Sequence, residues 1–107
     1  MKEIFKQTSN LTALDRFNMK VSKSLQNVAG STLCVQKAAI GTDVDKDGEE
    51  IQTAVLVTDD GVFGSISATV IEQTEELIDI LEEQSPIEVA VESRKAQSGR
   101  DYLVLVI

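Results

Sequence analysis

Arg94, Lys95, Arg100 and Tyr102 fall close together, wrapped around a Gln97-Ser98-Gly99 turn signal. Cations at that density could neutralise phosphates, and a tyrosine ring beside them could stack on an unpaired base. A polar turn with Tyr102 packed at a sheet end would use the same residues without a ligand. Phe63 carries a second option. It follows Asp60-Gly61, the strongest hairpin signal in the chain, because a type I′ turn needs positive φ at both central residues. A two-residue loop there pairs Thr58 with Phe63, Val57 with Gly64, Leu56 with Ser65 and Val55 with Ile66. Val55, Val57 and Ile66 then share a core face. Phe63 lies opposite with Leu56, on a face either open for stacking or covered by the N-terminal segment. Lys37, on the first long strand, would extend a basic surface. Arg16, Lys20 and Lys23 would do so too if the N-terminal segment lies alongside.

Asp43-Val44-Asp45-Lys46-Asp47-Gly48 has the opening of a calcium loop, with carboxylates at alternate positions and Gly at the sixth. The twelfth position, which needs a bidentate Glu, is Ala54, and the flanks read as strands rather than helices. A solvated turn is therefore favoured over a weak divalent site at Asp43, Asp45 and Asp47. The chain has no His, so Ser-His-Asp and Cys-His activation and the usual zinc sites are excluded. Cys34 is the sole cysteine, set in the apolar run Leu33-Cys34-Val35, and reads as a small hydrophobe in a strand. The remaining carboxylates spread along a loop and a helix rather than converging. These features point away from an enzyme and imply no cofactor.

The elements that must position these residues follow from periodicity. Leu11, Leu14, Phe17, Val21, Leu25 and Val28 recur at helical spacing after the caps Thr8, Ser9 and Asn10, which predicts an N-terminal helix with a basic outer side. A first strand is expected over Thr32 to Ile40, breaking at Gly41, and a second over Ile51 to Thr58. Thr69-Val70-Ile71-Glu72 has the form of a capping box opening a helix to about Gln84, with Val70, Leu77, Ile78 and Leu81 as its buried stripe. Glu72, Glu75, Glu76, Asp79, Glu82 and Glu83 cover the rest of that helix, and Pro86 prevents its continuation. Ile87, Val89 and Val91 alternate with acids as a half-buried strand, and Tyr102 to Ile107 is an apolar closing strand.

With 107 residues and 42% hydrophobic content, the chain is expected to form one folded domain. Residues 1–30 would form a helical extension and 31–107 a mainly β barrel. The net charge of −8 hides a partition. Residues 1–40 carry six Lys/Arg against two Asp/Glu, residues 41–93 one Lys against fifteen acids, and the remainder three basic residues against one acid. Local field, not net charge, decides what a face attracts. No apolar run approaches a membrane span, and no secretory h-region opens the chain, so no membrane partner and a cytoplasmic location are expected.

Five strands with one helix between the third and fourth is the wiring of an oligonucleotide/oligosaccharide-binding (OB) barrel. On that order, on Asp60-Gly61 leading to Phe63, and on the ending Ser98-Gly99-Arg100-Asp101-Tyr102-Leu103, the chain from Thr32 to Ile107 resembles the OB-fold single-stranded-DNA-binding proteins of bacteriophages and mobile elements. The resemblance implies sequence-tolerant binding of single-stranded DNA in replication, without catalysis or cofactor, through stacking aromatics and basic contacts. It implies frequent self-association into homo-oligomers. On it, the contact residues are Phe63, Arg94, Lys95, Arg100, Tyr102, Lys37, Lys20 and Lys23. A reading from another class is an acidic protein-interaction module. Its helix of spaced carboxylates would imitate a phosphate backbone and inhibit a nucleic-acid-binding protein.

Overall fold

Thr32–Val44 runs as one strand of 13 residues, and the rest of the molecule is organised along it. In the computed structural model, which describes Met1–Ile107, this strand is β3. The others are β1 (Glu3–Gln7), β2 (Lys23–Ser24), β4 (Glu50–Thr58), β5 (Gly61–Ser65), β6 (Ile87–Lys95) and β7 (Asp101–Val106). One flank of β3 pairs with β4 from Val35 to Val44. The other flank is shared, with β6 on Thr32–Val35 and β1 on Ala39–Thr42. The sheet order is β2-β5-β4-β3-β6-β7, with β1 beside the second half of β3.

The protein is mainly β with two helices, and its sheet curls into a half-barrel. It has seven strands rather than the expected five. Both additional strands come from residues 1–30, where a helix was expected. The capped helix there, α1, spans only Ala13–Asn18 and passes into two 3₁₀ turns, Met19–Val21 and Leu25–Val28. Leu11, Met19 and Leu25 are buried, whereas Leu14, Phe17 and Val21 are 68%, 65% and 78% exposed. So short a helix gains little from its own hydrogen bonds. The segment instead follows the sheet, burying those three side chains in two different places. The capping box that forms in this region is Thr12 with Asp15.

β3 does not break at Gly41. It continues to Val44 because β4 pairs with it to that residue and β1 pairs on its other flank to Thr42, so close at Gly41 that a Cβ there would collide with the Glu3 carbonyl. The β4–β5 turn falls one residue earlier than expected. Asp59 and Asp60 occupy the loop, Thr58 pairs with Gly61, and Leu56 pairs with Phe63. Positive φ is carried by Gly61 alone (+129°), which spares the aspartates the left-handed region. The Thr58 hydroxyl donates to the Gly61 carbonyl at 2.9 Å and accepts from the Asp60 N–H at 3.1 Å. β5 ends at Ser65, leaving Ile66 68% exposed rather than in the core.

The two sheet faces also exchange the importance expected of them. The larger core, of 17 buried residues, lies on the Leu56–Phe63 face. It is closed by α2 (Ala68–Glu83), which joins β5 to β6 and buries Val70, Thr74, Leu77, Ile78 and Leu81. Val55 and Val57 face the opposite way into a smaller cluster with Leu11, Met19 and Ala39. The N-cap of α2 is Ser67, without a side-chain hydrogen bond, so Thr69–Glu72 does not act as its capping box. The main strand path ends at β2, laid on β5, and at β7, while β1 forms a separate edge beside β3. The two ends of the path do not pair with each other, and a seam runs between them.

Candidate nucleic-acid interface

Phe63 is 4% exposed inside the larger core and is not available at the surface. Burying a side chain of this size stabilises by about 1.5–3 kcal/mol. Stacking on a base returns about 1–3 kcal/mol. Turning the ring outward would therefore gain nothing, and the expectation of an open Phe63 is corrected. Its position followed from correct strand parity and the wrong choice of inner face.

Lys37 is also committed. Its ammonium lies 2.6 Å from Asp15 Oδ2, and the two side chains are 20% and 15% exposed. Burial pushes the Asp15 carboxyl up, but the Lys37 hydrogen bond, with the N–H and hydroxyl of Thr12, outweighs this and holds it below the usual range. The pair pins α1 to β3. Lys37 thus positions the neighbouring residues Arg16 and Phe17 and presents no free charge of its own.

The basic residues of the N-terminal segment do gather. Lys2, Arg16 and Lys20 line an open hollow of about 460 Å³ together with Phe17, Ile4 and Met19, and no carboxylate lines it. The Lys20 ammonium sits 5.8 Å from the centroid of the Phe17 ring, a cation–π distance. Phe17 was expected on a buried stripe. The motif Arg16-Phe17-x-x-Lys20, an aromatic interleaved with cations, was the signal that could have marked it.

Lys23, three residues further along, lines a second cleft of about 530 Å³ at the seam, and Tyr102 lines the same cleft. Ser24, Ser65, Ser67 and Thr53 give this cleft hydroxyl-rich walls, with Asp101 as its one carboxylate. The two basic portions of the chain meet here. Across the β6–β7 ladder Arg94 is the direct partner of Tyr102, and Lys95 of Asp101. Arg94 also touches Glu92 at 3.2 Å. Lys95 and Arg100 are exposed at the hairpin end and do not line the cleft.

Other acids lie away from the two hollows and partly serve structure. Lys6 reaches Asp79 at 3.3 Å, and the Ser9 N–H and hydroxyl both donate to Glu82, so α2 anchors the N-terminal strap. In the Asp43–Gly48 loop, Asp45 Oδ1 accepts from the Asp47 and Glu49 N–H groups at 2.9 Å, and Asp43 pairs with the N-terminal amine at 3.6 Å. These carboxylates turn to backbone and terminus rather than toward a common centre. No helix is long and apolar enough to cross a membrane.

A family model described as Phage Single-stranded DNA-binding protein, of the Phi29 type, matches residues 2–107. Neither a curated protein nor a solved structure matches the chain.

Proposed function

Because the chain belongs to the phage single-stranded DNA-binding protein family, we propose that its DNA strand follows the basic hollow at Arg16, Phe17 and Lys20 into the seam cleft at Lys23 and Tyr102. The protein is a non-catalytic single-stranded-DNA-binding protein of phage type. The observation that carries the path is Lys23. It stands three residues from Lys20 at one hollow and lines the other with Tyr102. Lys2, Arg16, Lys20 and Lys23 meet phosphates, while Phe17 and Tyr102 offer ring faces that any base can stack on. Arg94, Arg100 and Lys95 extend the path along the β6–β7 hairpin. The portion from β3 to β7 is an opened OB-like barrel, in which that hairpin is a loop used for strand binding. The β3–β4 loop, carrying Asp45, Asp47 and Glu49, repels phosphate and stays clear of the strand.

The test is fluorescence anisotropy with labelled oligo-dT at two salt concentrations. Phe17→Ala and Tyr102→Ala are each expected to weaken binding by roughly tenfold or more, as loss of one stacked base requires. Wild-type affinity in both variants would remove this path.

A further inference from the structure

We infer that the free edge of β7 at Leu103 receives the hydrogen-bonding edge of an unpaired base, which enters the seam cleft beside Tyr102. This rests on the path proposed above and adds a subsite to it. The argument begins at Leu105, two residues along the same strand. The Gln73 carboxamide closes on it from α2, with Nε2 donating to the Leu105 carbonyl at 2.9 Å and Oε1 accepting from the Leu105 N–H at 2.8 Å. Those groups therefore point away from β6. In an antiparallel ladder this orientation recurs at every second residue, so the Leu103 N–H and carbonyl point the same way. Arg100 agrees with the alternation: its carbonyl points inward and accepts from the Ala96 N–H at 2.8 Å.

Leu103 meets no counterpart of Gln73. β7 pairs with β6 alone, and no side chain of the protein bonds the Leu103 N–H or carbonyl. Leu103, 5% exposed with its side chain in the larger core, lines the seam cleft together with Tyr102, the hydroxyl residues, Lys23 and Asp101. The occupant must therefore present a donor beside an acceptor, as the Gln73 carboxamide does at Leu105. It must also tolerate an aromatic neighbour and carry a negative charge for Lys23. A nucleotide meets all three demands. Each of the four bases has a donor next to an acceptor on its pairing edge, so the subsite binds bases without selecting among them.

The test follows the Leu103 amide by NMR hydrogen exchange, using the full chain with oligo-dT and with an oligomer of N3-methylthymidine. Methylation removes the base's donor and keeps the phosphates and the ring face. Saturating oligo-dT should slow exchange at Leu103 at least tenfold, with Leu105, already bonded to Gln73, as the internal reference. N3-methylation should weaken binding roughly three- to tenfold per site and abolish that protection, while the salt dependence stays unchanged. Equal affinity for the two oligomers, or equal protection by both, would overturn the subsite while leaving DNA binding intact. Protection that rises with protein concentration without DNA would assign the edge to a second copy and would also overturn it. Failure to bind oligo-dT at all would remove the proposed path and the subsite with it.

Discussion

Asp15 holds in place two residues of the proposed path, without itself lining either hollow. Its carboxylate accepts from the Thr12 N–H at 2.8 Å and the Thr12 hydroxyl at 2.9 Å, and it pairs with Lys37. The neighbouring residues, Arg16 and Phe17, belong to the proposed path. Lys37→Met should therefore cost about 1.5–3 kcal/mol of stability, the range for a hydrogen bond to a charged group. It should also weaken oligo-dT binding without altering its salt slope. The pH dependence has a definite sign. Asp15 titrates below its ordinary value in the folded protein, so its contribution is complete above that value of 3.8 and disappears as pH falls through the folded one. Urea midpoints measured from pH 7 down to pH 2 should converge between wild type and Lys37→Met at the acid end. A variant of unchanged stability whose salt slope falls by about 0.7 would instead make Lys37 a phosphate contact.

At the scale of elements, the crossing of β1 over Gly41 decides whether the N-terminal strap seats at all. A Cβ at Gly41 meets the Glu3 carbonyl and lies 2.6 Å from the Met1 sulfur, so Gly41→Ala must displace β1. Overpacking of this kind costs about 1–3 kcal/mol. The strap is expected to loosen, with faster tryptic cleavage at Arg16 and Lys20 and oligo-dT affinity reduced severalfold. An unchanged digestion pattern together with unchanged affinity would place β1 outside the binding surface. The same crossing explains which elements were legible in sequence. The stripe of α2 and the alternation of Val89 and Val91 were readable because each buries one regular face. β4 is buried on both faces from Thr53 to Thr58, so its alternation could not say which face carries the larger core. The strap was not readable, because its buried residues serve two places: Leu11 and Met19 the smaller cluster, Leu25 the larger core. No single period describes that division. Tyr102 and Lys23 were proposed from residue type alone, and they line one cleft. The exposure of Phe17 was not legible because helical spacing assigned it to a core that the strap never makes.

Over the whole molecule, a protein of net charge −8 must bind a polyanion through a local field strong enough to overcome its own repulsion. On the proposed path, separation of the charges supplies that field. Lys2, Arg16 and Lys20 line a hollow free of carboxylates. Asp79 and Glu82 are turned to holding the strap. If Lys2, Arg16, Lys20 and Lys23 each neutralise one phosphate, they alone give the log–log dependence of affinity on salt a slope of about −3, since a single strand contributes roughly −0.7 per phosphate. Contacts from Arg94, Lys95 and Arg100 would steepen it further. Lys20→Ala and Lys23→Ala should each reduce its magnitude by about 0.7. Glu75→Gln and Glu76→Gln on α2 should leave the slope as it is, because they lie off the proposed path. Anisotropy titrations over a series of salt concentrations read all of these values. A flat slope in the wild type, or a slope that follows the α2 variants instead of the lysines, would mean that DNA is held by some other face.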